Sequence, residues 1–169
     1  MTAAPDVVVA LGTDHHPFAR LVEWVDHWAE AHPDRRCTIQ HGSAPPPTHA
    51  EGHPVLDPAI IPQLLEACGV AVGHASPGTL LDARAAGHRP ILVARRAHLG
   101  EVVDDHQVTF GRWMHDRGQA VCVDTEAELH ARIDDALARP EAYAIASGPV
   151  AAPPAVVLLG DLVDGMMTR

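Results

Sequence analysis

The stretch Val70 to Gln107, VAVGHASPGTLLDARAAGHRPILVARRAHLGEVVDDHQ, restricts the fold more than any other part of the chain. A short apolar run, Val70 to Val72, ends at Gly73-His74 and gives way to the small residues Ala75-Ser76-Pro77-Gly78-Thr79. A helical pattern follows from Leu80 to Ala86 and stops at Gly87, after which Arg89-Pro90 leads into a second apolar run, Ile91 to Ala94. Strand, loop, helix, strand in that order is a parallel crossover unit, and its loop lies at the carboxyl end of the first strand, where open α/β sheets bind ligands. The free N–H groups of a helix N-terminus there suit a phosphate.

The same alternation runs along the rest of the chain. Val7 to Leu11 is a β-branched and apolar run that reads as a strand buried on both faces. Gly12-Thr13-Asp14 is a turn, and Pro17 opens a helix to about Ala31 with Phe18, Leu21, Val22 and Val25 at helical spacing. Cys37 to Gln40 is a short strand. His41 to Pro58 carries prolines at 45, 46, 47, 54 and 58, so no helix or central strand runs through it, and it reads as a long surface loop. Ala59 to Cys68 is helical, with Ile60, Ile61, Leu64 and Leu65 as its apolar stripe. Asp104 or Asp105 caps a helix to about Arg117, which Gly118 ends. Ala120 to Val123 is a strand, and Thr125 to Glu128 is a capping box opening a helix to about Ala138. About five strands alternating with helices predict an α/β fold, a Rossmann-like, doubly wound and mostly parallel sheet. The domain spans 1–146. The Ala- and Pro-rich tail, 147–169, ends in an apolar segment that forms a last strand or a short helix.

Charge and composition narrow the function. A net charge of −10 argues against nucleic acid, whose binding rests on neutralising phosphates, but leaves room for a small anion in a local site. No stretch approaches the roughly 20 apolar residues of a membrane span, and the opening MTAAPDVVVALG lacks a signal peptide's basic start. Cys37, Cys68 and Cys122 have no C-x-x-C spacing and read as reduced thiols of a cytoplasmic protein. The 13 histidines include His15-His16 and a loop set, His41, His49 and His53, yet show no recognised metal-ligand spacing, so they read as solvated and no metal is expected. Trp24, Trp28 and Trp113 fall in helical patterns and read as packing residues.

Three loops fall on one carboxyl edge: Gly12-Thr13, His74 to Thr79, and Asp104 to Gln107. Small residues admit backbone to a ligand, Ser76 and Thr79 offer hydroxyls, and His74 offers an imidazole donor. Asp82, one turn into the helix, suits ribose hydroxyls, and His106 and Gln107 suit a sugar. Bland readings stand beside these. Gly12 and Gly78 also serve plain turns, and Asp104-Asp105 also serves as a helix cap. Glu101 either joins the sugar site or caps a loop, and Arg95 and Arg96 either attract phosphate or form surface ion pairs.

The segments VVVALGT at 7–13, IQHGS at 39–43, GHASPGTLLDARAAGHRPILVARR at 73–96 and GEVVDDHQ at 100–107 resemble the C-terminal, donor-binding half of GT-B glycosyltransferases of the family 28 type. The resemblance covers about residues 6 to 138, and includes stand-alone relatives that work as subunits. It implies a UDP-sugar donor. His74 and the backbone at Ser76 to Thr79, with Gly78 among them, would hold the diphosphate. Asp82 would meet the ribose, His106 and Gln107 the donor sugar, and Gly12 and Thr13 would form the first glycine-containing loop. It also implies that no metal or other cofactor is needed, and that a membrane-anchored partner chain supplies the acceptor site and the general base at the cytoplasmic membrane face. Two positions depart from the family's pattern: its H-x-G-x-G loop is His74-Ala75-Ser76-Pro77-Gly78 here, and its ribose-binding Glu is Asp82. A non-catalytic accessory subunit that activates a partner glycosyltransferase is the alternative. A dinucleotide-dependent oxidoreductase is disfavoured, because no G-x-G-x-x-G follows a strand.

Overall fold

The computed structural model describes residues 4–145, and the tail at 147–169 lies outside them. Three short apolar runs build the middle of the sheet. Strand β1 (Val7–Ala10) pairs in parallel with β2 (Cys37–Gln40) on one side and β4 (Val70–His74) on the other. Val9 lies opposite Ile39 and Val72. Outside these come β3 (Glu51–His53) beside β2, and β5 (Ile91–Val93) and β6 (Val121–Val123) beyond β4. All pairings are parallel, and the order is β3-β2-β1-β4-β5-β6. This is the Rossmann-like, doubly wound sheet expected from the alternation of runs.

Strand β3 is the addition. It lies in the proline-rich stretch and makes a sixth strand where the sequence pattern suggests five. Its residues, Glu-Gly-His, carry no apolar alternation, and it pairs only with β2, as a proline-flanked edge strand can.

Side chains alternate across the sheet with a period of two, and the helices divide to match. Val7, Val9, Ile39, Val70, Val72, Ile91 and Val93 form one core with α1 (Ala19–Ala31) and α5 (Glu126–Ala138). Val8 and Ala71 face the other way, onto Leu65 of α2 (Ile60–Ala67) and Ala83 of α3 (Pro77–Ala85). Leu92 packs there too, with Leu80 and with Met114 of α4 (His106–Asp116). Between α1 and α5 the fully buried Trp28 donates its indole N–H to Asp134 at 2.8 Å. Trp113, by contrast, is half exposed and lies under the Arg117 guanidinium rather than in a core.

Local signals set the helix ends. The capping box of α5 is complete: Thr125 accepts from the Glu128 N–H, and Glu128 accepts from the Thr125 N–H. Such a cap stabilises a helix by about 1 kcal/mol. Gly118, at φ 67°, ends α4 as expected. Helix α3 begins at Pro77, a turn earlier than its apolar pattern, because Ser76 caps it and proline suits the first helical position.

The proline-rich loop is held by one carboxylate. Asp26 of α1 is buried and accepts three backbone N–H groups, from Thr48, His49 and Ala50, at 2.7 to 2.9 Å. Burial alone would push its pKa up, but the three donors together outweigh burial and hold it below the ordinary carboxylate value. Asp26→Asn is expected to cost about 1–3 kcal/mol in urea unfolding. A group with a depressed folded pKa stabilises the fold above its unfolded value, near 4, and loses that contribution as pH falls through the folded value. The gap between wild type and variant should therefore close on acidification below about pH 4; a gap constant down to pH 2 would refute this account.

Candidate functional site

The strand order reverses between β1 and β4, since the chain runs from β1 outward to β2 and β3 and returns to β4. The crevice at the carboxyl ends of two such strands is where open α/β sheets bind ligands. Here the crevice is lined by close backbone approach. Gly12, at φ 71°, lies so near the imidazole of His74 that a Cβ on it would stand 3.1 Å from His74 Cε1. Gly73 has no room for a side chain at all: a Cβ would meet Thr79 Cγ2 at 2.4 Å and the Ala10 carbonyl at 2.9 Å. The start of α3 is thereby drawn onto β4.

A hydroxyl chain runs along this surface. Ser76 Oγ donates to Thr79 Oγ1 at 3.2 Å and accepts the Thr79 N–H at 3.3 Å. Thr79 Oγ1 lies 3.1 Å from His74 Nδ1, which is 3.5 Å from the Ala10 carbonyl. In the tautomer whose proton is on Nε2, Thr79 donates to Nδ1 and His74 offers a ligand an N–H; in the other, Nδ1–H donates to the Ala10 carbonyl. Burial, and then the positive charge of Arg95, push the pKa of His74 down to about 4, against weaker opposing effects of the Ala10 carbonyl and Asp14. His74 is thus neutral at physiological pH. At the α3 N-terminus Pro77 has no N–H and the Thr79 N–H is taken by Ser76. The Gly78 N–H remains, and the space around Gly78 is open. An anion at this end would meet a helix dipole, the Gly78 N–H and the His74 imidazole.

The other expected residues fall into three situations. Thr13 is exposed on the loop after β1. Asp82 is exposed on α3 and shares a small depression with Ala10, Ile61 and Thr79, so it lies beside the crevice. His106 is exposed at the first turn of α4, its backbone N–H and Nδ1 both against Asp104. Gln107 is buried, and its Oε1 accepts the Arg95 N–H at 3.2 Å. No hydrogen bond among the described residues links His106 or Gln107 to the His74–Thr79 chain. Asp105 is the N-cap residue of α4, but its carboxylate accepts from the Ala97 N–H instead.

Arg95 and Glu101 resolve differently from Arg96. Arg95 is fully buried, and its guanidinium donates to the carbonyls of His16 at 2.7 Å, Glu101 at 3.0 Å and Leu11 at 3.1 Å. It also lies over the Phe18 ring. Buried Glu101 takes two bonds from Arg20, at 2.8 and 2.9 Å, and one from the Arg96 N–H. Arg96 itself pairs with exposed Asp124 at 2.7 Å. The sequence signal for Arg95 was its place directly after a strand, one residue past Ala94. Nothing local distinguishes it from Arg96.

No family model matches the sequence, and no curated protein sequence matches it. Solved structures do. A glycotransferase of kitacinnamycin superposes with a TM-score of 0.63 at 19% identity over 83% of this chain and 36% of its own. The calicheamicin glycosyltransferase CalG4 gives 0.58 at 19% identity, over 82% and 36%. MurG of Acinetobacter baumannii gives 0.58 at 16% identity, over 85% and 44%. The fold is that of one half of a GT-B glycosyltransferase. The chain spans less than half the length of these structures.

Two measurements test the site's electrostatics. By NMR titration, His74 should protonate near pH 4, well below the ordinary value of about 6.5. In Arg95→Met its pKa should rise, because a nearby cation no longer opposes the charged form. A wild-type His74 that titrates near 6.5 would contradict the buried, neutral imidazole.

Proposed function

We propose that this chain is a glycosyltransferase subunit that binds a UDP-sugar donor and transfers its sugar to a lipid-linked or polysaccharide acceptor, together with a partner chain that holds the acceptor. The observation that carries this reading is the hydroxyl and imidazole chain Ser76–Thr79–His74 at a helix N-terminus, in the switch-point crevice of a GT-B-type half. The diphosphate sits against the Gly78 N–H and His74 Nε2, with Gly12, Thr13 and Ser76 around it. Asp82 accepts from the ribose hydroxyls. His106 and Gln107 face the sugar, with Gln107 offering its amide nitrogen while Oε1 stays on Arg95.

The acceptor hydroxyl attacks the anomeric carbon, and UDP leaves with the bonding electrons. Fixed dipoles at the α3 N-terminus stabilise the charge that develops on UDP, so the step calls on no metal. The partner supplies the general base and presents the acceptor, and the pair works at the cytoplasmic face of the membrane. In this reading the partner anchors the pair; among the described residues no helix is long and apolar enough to cross a membrane.

One observation favours a second reading. Pro77 lacks an N–H and Ser76 occupies that of Thr79, so the α3 N-terminus offers a diphosphate fewer donors than a glycine-rich loop would. A chain of this kind that only activates a partner glycosyltransferase would keep the fold without holding a donor.

Calorimetric titration with UDP and several UDP-sugars separates the two. In the donor-binding reading UDP binds, Asp82→Ala weakens it about tenfold, the weight of one hydrogen bond of roughly 1–1.5 kcal/mol, and Thr79→Val weakens it similarly. Gln107→Ala and His106→Ala alter the ranking among sugars more than the affinity for UDP itself. If neither the chain nor its complex with the acceptor-binding partner takes up more donor than the partner alone, the accessory reading replaces the first.

A further inference from the structure

We propose that Asp14, His15 and His16 form a binding site for a divalent transition-metal ion such as Zn²⁺, on the loop after β1. Among the described residues this is the group of three metal-ligating side chains whose ligand atoms all lie within 4.8 Å of one another. Asp14 Oδ1 is 2.8 Å from His16 Nδ1 and 3.3 Å from His15 Nδ1. The two imidazoles lie side by side, with ring centroids 3.9 Å apart. Bonds of about 2.0–2.2 Å from zinc to nitrogen and oxygen place neighbouring ligand atoms roughly 2.8–3.6 Å apart, from octahedral to tetrahedral geometry. Both carboxylate–imidazole separations fall in that range, the two imidazole nitrogens lie within 4.8 Å of each other, and the proton that His16 Nδ1 now shares with Asp14 would leave as an ion enters. Two imidazoles and one carboxylate suit zinc and its neighbours rather than magnesium or calcium, which prefer oxygen.

The backbone that carries the three ligands is held from outside. Ser43 Oγ donates to the His15 carbonyl at 3.0 Å and sits 3.3 Å from that of Asp14. Arg95 donates to the His16 carbonyl at 2.7 Å and to that of Leu11 at 3.1 Å. Consecutive residues on a free loop would lose much of the binding energy to ordering, whereas these are ordered before the ion arrives. Other histidine–carboxylate contacts among the described residues do not gather three ligand atoms this closely: His27 and His130 share Glu126 at 2.7 and 3.8 Å, and His53 meets Glu51 alone.

Three protein ligands leave at least one coordination position open, as in exchange-competent zinc sites. Water fills it, or an oxyanion does.

The test titrates the full chain with Co²⁺, followed by its visible spectrum, and with Zn²⁺ by calorimetry, without any nucleotide. One ion is expected to bind per chain. His15→Ala and His16→Ala should each weaken it by more than ~10-fold, beyond the least that losing an outer-shell partner costs. His27→Ala, which removes an exposed histidine–carboxylate contact elsewhere on the surface, should leave it unchanged. All three side chains are substantially solvent-exposed or part-exposed, so these variants fold, and unchanged melting of the metal-free variants verifies that. Saturating Zn²⁺ should raise the melting temperature of wild type and not of His16→Ala. No binding by wild type, or equal affinity in the His15 and His16 variants, would overturn the proposal. Failure of UDP to bind leaves the metal result intact, so the two readings fall separately.

Discussion

A single buried guanidinium holds the ligand edge of this sheet together. Arg95 leaves the end of β5 and reaches two other loops, donating to carbonyls of Leu11 and His16 after β1 and of Glu101 before α4. Taking a charge out of water costs several kcal/mol unless hydrogen bonds replace the lost solvent. Three carbonyls do so here, Phe18 covers the guanidinium face, and Glu101 brings a counter-charge that Arg20 shares. The replacement is incomplete: Arg95 Nε is buried without a partner. A protein bears such a cost where geometry matters more than stability. Since β4 lies between β1 and β5, a brace from β5 to the loop after β1 spans the His74 loop and sets the crevice width.

Glycines do the complementary work. Where Arg95 adds contacts, Gly12 and Gly73 remove atoms, and both removals are local to the switch point. An alanine at 73 would drive its Cβ into Thr79, so the start of α3 would move off β4 and carry the Gly78 N–H with it. An alanine at 12 would meet two obstacles, the left-handed backbone and the His74 ring. The loops of β1 and β4 therefore touch as backbone against imidazole, and neither could be built with an ordinary side chain in between.

Most of the architecture could be read from the chain because it depends on neighbours in sequence. Runs such as VVVA at 7–10, helical stripes such as Leu21, Val22 and Val25, and the capping box at Thr125 each announce themselves within a few residues. The His74–Thr79 chain is also local, and so the most informative site residues were visible. What was hidden is long-range. Two of the three carbonyls that Arg95 serves lie 79 and 84 residues away, and Arg20 meets Glu101 across 81. Strand β3 was hidden for another reason. Its three residues gain their place from pairing with β2 and carry no pattern of their own. Gln107 combined both problems: its position on α4 was readable, but its bond to the backbone of Arg95 was not.

The electrostatics of the crevice follow from this arrangement. The chain carries a net charge of −10, which repels a diphosphate at long range. Arg95, the cation that acts on His74, has spent its terminal guanidinium nitrogens on carbonyls, and its charge adds to burial in keeping His74 neutral. What the crevice presents is then a set of uncharged dipoles: one backbone N–H, one imidazole, hydroxyls and a helix end. Dipoles fixed in place need no reorganisation when charge builds on a leaving group, and they do not titrate in the physiological range. They also attract an anion weakly from a distance, so capture depends on close fit.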